Sequence, residues 1–351
     1  MIFALANKRE EEYSREELEK LNLILERRRE ELLSADEGLA RKLSAELNGL
    51  IGYYRDHDAF DEAKKDVTYL ICTDTYQGKM AASLLEDWGR ARGMNVNVCP
   101  IKDLNTASMS SFQWGMNNLV EWCEDTLPGC RQSGYRIIFN LVGGFKALQG
   151  YMQALGMFYA DEIIYIFESS GEILSIPHLP VDLAESSKRV MEENLPLLRW
   201  LANHDLKISE CGALPASMLQ IIGDDCTLSP WGTLMFRRFK NELYGTRLLP
   251  PWVSNVVYGK GLETEVAKLD RHMIVWVNDA IDKLCSYYAG GATKNLASLN
   301  LRALAGTPRP PSTHEFNLWS TQNAWRGVCH YEGGEKEKTL VIDAIGVGLT
   351  H

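Results

Sequence analysis

Arg136-Ile137-Ile138-Phe139-Asn140-Leu141-Val142-Gly143-Gly144-Phe145-Lys146-Ala147 decides the fold. A short apolar run ends in two glycines, and a helix-forming stretch follows through about Met157. This is the exit of a strand and the entry of a helix. The same grammar recurs upstream. Val67-Thr68-Tyr69-Leu70-Ile71-Cys72 reads as a buried-type strand, followed by Thr73-Asp74-Thr75-Tyr76-Gln77-Gly78 and a helix from about Lys79 to Arg92. Asn95–Ile101 reads as a second strand, about Ser110–Asp125 as a helix, and Glu162–Glu168 as a further strand. Strands alternating with helices predict a mainly parallel, doubly wound α/β sheet. In such sheets ligands sit beyond the carboxyl ends of the strands, which is where the loops 73–78 and 140–146 fall.

Outside this region the pattern changes. Residues 10–65 predict helices, with Ser14-Arg15-Glu16-Glu17 as a capping box and Leu18, Leu21, Leu25 and Leu32 at helical spacing. The charges of Glu26 to Glu31 fit a solvated face. Residues 175–182 look like a domain exit. Residues 184–247 predict helices with turns, and Leu228-Ser229-Pro230-Trp231-Gly232 opens one with a serine cap and an early proline. Pro250-Pro251 marks another boundary. Beyond it a helix is predicted from about Gly261 to Tyr288, a bend at Pro308-Arg309-Pro310-Pro311, and strands near 314–320, 325–331 and 339–346. Helix followed by strands predicts a small α+β domain.

Composition narrows the function. The 351 residues are ample for two compact domains and a connector. Apolar runs stay under ten residues, far short of a membrane span, and no signal segment opens the chain, so a cytoplasmic protein is expected. The formal net charge of −10 speaks against nonspecific attraction to nucleic-acid backbone. The eight cysteines are scattered without a C-x-x-C pair, so neither zinc nor a structural disulfide is expected.

The polar loops carry candidate ligands. The two glycines allow close backbone approach, the following helix start offers unpaired N–H groups to anionic oxygens, and Lys146 adds a point charge. Thr73, Asp74, Thr75 and Gln77 supply hydroxyl, carboxylate and amide partners. By itself a Gly-Gly after a strand is only a turn signal, and neither a dinucleotide fingerprint nor a P-loop is present.

The series Lys42-Leu43-Ser44-Ala45-Glu46-Leu47-Asn48, Thr73-Asp74-Thr75-x-x-Gly78, Asn140-x-x-Gly143-Gly144-Phe145-Lys146-Ala147 and Ile166-Phe167-Glu168 resembles CRISPR-associated Rossmann-fold (CARF) proteins over about residues 1–182. The resemblance implies a homodimer whose twofold axis runs through a pocket for cyclic oligoadenylate, with cyclic tetra-adenylate the better fit to a twofold site. It implies ligand contacts from Thr73, Asp74, Thr75, Gln77, Gly78, Asn140, Gly143, Gly144, Phe145 and Lys146. The family opens with a strand and a Ser/Thr-rich loop. Here Met1–Asn7 stand where the tail of that loop falls, leaving Asn7 as the candidate there.

Residues 183–250 resemble the winged-helix-like segment that follows such sensors. Arg237, Arg238 and Lys240 cluster among acids, with no base-reading array, so a transmitting or docking role is expected rather than DNA binding. Arg199-Trp200-Leu201-Ala202-Asn203-His204 matches the R-x4-H spacing of HEPN ribonucleases but lacks their helical surroundings.

Metal-free RNA cleavage needs a base for the 2′-OH, a cation for the phosphorane and an acid for the leaving 5′ oxygen. Residues 251–351 offer no clustered carboxylates suited to Mg²⁺. Alternation along Trp325–His330 puts Arg326 and His330 on one face. Asn300–Leu304, His314–Leu318, Asn323–Val328 and Leu340–Gly346 resemble the RelE family of ribosome-dependent mRNA interferases. The resemblance implies Arg326 at the scissile phosphate, His351 or His314 in proton transfer, and Arg302 holding substrate. Glu315 and Asn317 stand where several members carry lysines. With acids and bases balanced, the ribosome would have to position the mRNA and supply charge. The expected molecule is thus an α/β protein: a CARF-like sheet with a helical insertion, a winged-helix-like connector and a RelE-like α+β domain. It works without a cofactor as an endoribonuclease of type III CRISPR defence. The alternatives are a CARF-controlled transcriptional regulator and a HEPN-type nuclease using Arg199 and His204.

Overall fold

The computed structural model describes residues 7–57, 61–167, 171–179, 184–290, 298–304, 309–319, 324–333 and 338–347. The chain is mixed α/β with several small sheets. It divides into two compact units, Met1–Leu183 and Ala184–His351.

In the first unit, helices α1 (Arg15–Ser34), α2 (Glu37–Leu43) and α3 (Ala45–Asp56) precede the sheet. Each begins where a short polar side chain satisfies an end N–H that no helical carbonyl can reach. Ser14 accepts from Glu17 N–H while Glu17 reaches back to Ser14 N–H, the expected capping box. Asp36 and Ser44 cap the next two. Of α1 only Leu32 is buried, whereas α3 turns Leu47, Ile51 and Tyr54 into a core with Trp88 and Val96.

Strand β1 (Val67–Thr73) runs parallel to β2 (Asn95–Ile101), in register from Val67 opposite Asn95 to Thr73 opposite Ile101. Helix α4 (Tyr76–Arg90) connects them, and α5 (Met109–Gln132) follows β2. Strand β3 (Ile138–Asn140), helix α6 (Lys146–Tyr159) and strand β4 (Glu162–Ile166) repeat the unit, with β3 parallel to β4. A strand not read from the sequence, β5 (Ile173–Pro177), lies antiparallel on β4. It occupies what reads as a domain exit because Pro177 and the surrounding polar residues hide an edge-strand pattern. Helix α5 runs past the expected end near Asp125 because its apolar stripe continues to the buried Leu127.

The second unit opens with α7 (Glu185–Glu193) and α8 (Leu195–Leu201). Here the expectation of helices and turns alone is corrected. Strands β6 (Leu206–Lys207), β7 (Leu219–Ile222) and β8 (Asp225–Leu228) form an antiparallel sheet ordered β6-β8-β7 before α9 (Pro230–Tyr244). The strands have two to four residues, too few to display a period of two. The cysteine expectation is corrected too, since Cys211, just after the turn Ile208–Glu210, forms a disulfide with Cys226 on β8.

Then come β9 (Val256–Tyr258), α10 (Leu262–Val266), α11 (Arg271–Ala289), β10 (Arg302–Ala303), β11 (His314–Trp319), β12 (Trp325–Glu332) and β13 (Thr339–Val347). The single helix expected over 261–288 is broken before Asp270, which lies in extended conformation and starts α11. The sheet order is β10-β11-β12-β13-β9, antiparallel throughout except for the parallel pair β13–β9. Helix α11 buries Ile274, Val277, Ile281 and Leu284 against Phe316, Leu318, Cys329 and Ile342 on one sheet face. Each such side chain contributes about 1.5–3 kcal/mol of burial. The opposite face carries Glu315, Arg326 and His330 beside the buried Val328 and Val341.

Side chains knit α11 to the preceding module. Asn278, fully buried, accepts from Leu249 N–H and donates to the carbonyls of Tyr244 and Arg247. Arg199 is 1% exposed and pairs with Asp282 at 2.6 Å. Among the described residues no helix is long and apolar enough to cross a membrane.

Candidate functional sites

At the carboxyl ends of the first unit's strands, three loops are tied together. Asp74, just past β1, accepts from Asp103 N–H beyond β2 at 2.9 Å and from the Arg9 guanidinium at 3.0 Å. Asn7 Oδ1 accepts from the N–H and hydroxyl of Thr106. Phe112 on α5 packs its ring edgewise on Phe145, in the loop after β3, at 5.7 Å between centroids. The exits of β1, β2 and β3 therefore share one end of the unit.

The candidates there divide into scaffold and free surface. Thr75 is the N-cap of α4: its hydroxyl accepts from Gly78 N–H and meets Thr73 Oγ1 at 2.8 Å. Gln77 donates to the Tyr13 hydroxyl. Asn140 donates to the Glu46 carbonyl and accepts from Val142 N–H. Gly143 lies so close to α3 that an added Cβ would sit 2.1 Å from Glu46 Oε1, and Gly144 holds a φ of +96° that only glycine takes readily. The motif Lys42–Asn48 thus supplies the helix start on which the glycine turn rests. Asp74 is 8% exposed, and its Oδ1 has no partner among the described residues. Arg9, raised above its ordinary pKa by the Asp74 carboxylate, was not legible as a partner because 65 residues separate the two.

Lys146 differs from all of these. It is the first residue of α6, exposed, beside the N-cap Phe145, whose side chain makes no capping hydrogen bond. A helix start without a side-chain cap leaves N–H groups for an anion, and a lysine there adds charge.

In the second unit, the sheet face away from α11 carries two polar clusters. Glu315 on β11 is 3% exposed. Its Oε1 accepts from Arg302 Nε at 2.6 Å and from Arg326 Nη1 at 2.9 Å. Arg302 lies directly across β10–β11 from Glu315, and Arg326 reaches it diagonally from β12. Two guanidiniums on one carboxylate leave a net positive charge, with Arg302 about half exposed and Arg326 about one-fifth.

Farther along β12 sits His330. Its Nδ1 lies 2.8 Å from Asp343 Oδ1, and Ser312 donates to Asp343 Oδ2 at 2.7 Å. Hydrogen bonding to Asp343, opposed by slight burial and helped by Glu332, raises the imidazole pKa. Asp343 reaches this face through a bulge: Val328 pairs with Ala344 while the next residue, Cys329, pairs with Ile342, so Asp343 is the extra residue.

His314 is not brought to Arg326. Alternation puts it on the Phe316 side of β11, where its ring meets Tyr331 edge-on and burial lowers its pKa. The expected proton-transfer partnership of His314 with Arg326 is therefore corrected: the two project from opposite sheet faces. His351 lies outside the described residues.

The two alternatives meet physical obstacles. Arg199 is interior, bonded to Asp282 and the Pro250 carbonyl, and His204 Nε2 lies 3.2 Å from the Ser286 carbonyl. Such an arginine holds helices together rather than meeting RNA. Between β6 and β7, where a winged helix would carry its groove-reading helix, stand only the three-residue turns Ile208–Glu210 and Ala216–Met218. Lys240 is paired with Asp279.

Residues 41–179 match the model of a family described as CRISPR-associated protein (Cas_APE2256). The match lies wholly within the first unit, spans both the Lys42–Asn48 and glycine–lysine motifs, and supports a CRISPR-associated protein with a role in CRISPR defence. Among curated proteins none matches the chain.

Proposed function

We propose that this protein is an endoribonuclease of CRISPR defence, switched on by a cyclic oligoadenylate and directed at mRNA on the ribosome. Two copies pair so that each presents Lys146 and its 73–78 loop to one cyclic tetra-adenylate, whose even symmetry suits a twofold site. The ring's phosphates meet the α6 start and Lys146, while Asp74, Thr75, Asn140 and Gly143 shape the loops that hold those donors.

The observation that carries the effector half is the shared Glu315. It holds Arg302 and Arg326 side by side on one face of a sheet whose elements run strand, two helices, four strands, and the RelE resemblance assigns both arginines to the substrate. Arg326 offsets charge on the phosphorane as the 2′-oxygen attacks, and Arg302 holds the neighbouring phosphate. Such fixed donors contribute by being in place before the reaction. An acidic protein attracts RNA weakly, so the ribosome delivers the substrate.

The test is translation arrest in an extract. Cyclic tetra-adenylate added to the wild-type protein should stop reporter synthesis, and both Arg326→Ala and Lys146→Ala should remove the effect. Arrest by Arg326→Ala at the wild-type rate would refute the effector assignment; arrest without any ring would refute the gating.

A further inference from the structure

Arg326 and Arg302 supply charge but cannot move a proton at neutral pH, so cleavage needs a proton donor near them. On the described part of this sheet face, the imidazole that shares the arginines' side is His330. We propose that His330 is the general acid of the cleavage, oriented by Asp343, which the β13 bulge turns onto the arginine face. This assignment rests on the ribonuclease reading above.

Three observations carry it. Alternation along β12 puts residues 326, 328 and 330 on one face, while Gly327 lies against the Phe316 ring and Cys329 lies in the core. Glu315 sits opposite Val328, so the Arg326 guanidinium is drawn toward that level. His330 is two residues farther, roughly 7 Å at strand rise, a separation a single phosphodiester and its leaving nucleoside can span. Finally, Asp343 accepts a hydrogen bond from Nδ1–H, which fixes Nε2 outward as the working nitrogen, the role a carboxylate plays behind a catalytic imidazole. Nε2 is met at 3.2 Å by Glu332, which is two-thirds exposed and free to yield to substrate.

In the step, the 2′-oxygen bonds to phosphorus and releases its proton to water. The P–O5′ bond breaks, and O5′ takes the proton from His330 Nε2. The products are a 2′,3′-cyclic phosphate and a 5′-hydroxyl, and neutral His330 regains a proton from solvent. The groups facing the ring are Asp343 from β13, Glu332 from its own strand and, behind Asp343, the neutral Ser312 hydroxyl. Both carboxylates favour the imidazolium.

The test uses the full-length protein, cyclic tetra-adenylate and ribosomes programmed with an mRNA carrying either an ordinary linkage or a 5′-bridging phosphorothiolate at the mapped cut. Sulfur leaves without protonation. His330→Gln should slow the ordinary linkage about 100-fold or more and the thio linkage less than about fivefold. Asp343→Asn should shift the alkaline limb of the rate profile to lower pH, because the imidazolium loses its carboxylate. Equal loss on both linkages, or an unmoved limb in Asp343→Asn, overturns the assignment; the second variant decides if His330→Gln does not fold. A wild-type protein that cuts neither linkage instead overturns the ribonuclease reading, and this assignment with it.

Discussion

Glu315 governs the polar face of the second unit because it is one nearly buried carboxylate serving two guanidiniums. Truncating it leaves Arg326 partly desolvated without a counter-charge. Glu315→Ala should therefore lower stability by about 3 kcal/mol, read from urea unfolding, even though it makes the face more positive. Lys146 is the opposite case. It is exposed, so Lys146→Ala should leave the unfolding midpoint within about 0.5 kcal/mol of wild type while calorimetry with cyclic tetra-adenylate loses its binding heat. Gly143→Ala tests the turn between these extremes: its Cβ would displace Glu46, so ring affinity should fall with little unfolding. At this scale the sequence displayed residue types but not partners. Arg326 and His330 on one face follow from alternation alone, and that held. Asp343 could not be found, because the bulge that delivers it leaves no mark in a hydrophobic pattern. Nor could Arg9, whose carboxylate partner is distant in sequence.

Among the elements, α11 has two duties. One side packs under the arginine-bearing sheet, and Asn278 and Asp282 bind the preceding helical module. Arg199, Tyr244 and Trp252 all meet Asp282. Asp282→Ala should thus cost about 3–5 kcal/mol, the range for leaving one partner of a buried pair uncompensated, and Arg199→Ala a similar amount. Parallel loss of unfolding stability and activity in both would mark a structural ion pair. Activity lost by Arg199→Lys at unchanged stability would instead speak for a nuclease built on Arg199 and His204. The long elements were legible because they repeat their periods: β2 spans the expected Asn95–Ile101, and β11 to β13 fall within one or two residues of expectation. The strands β5 to β9 were not: like β3 and β4 they have five residues or fewer, but β3 and β4 were marked by the alternation with helices around them and β5 to β9 were not.

For the molecule as a whole, charge makes the argument. A chain with a formal charge of −10 attracts RNA weakly by itself, yet Lys146 stands at the α6 start and Arg302 and Arg326 share one carboxylate. The first suits a small, highly charged ligand; the second suits a substrate already held by something else. The most direct measurement is primer-extension mapping of one mRNA, naked or on ribosomes, with and without cyclic tetra-adenylate. The account predicts discrete cuts only when ribosomes and ring are both present, and none with Arg326→Ala. Cuts of equal rate on naked RNA without the ring would contradict it.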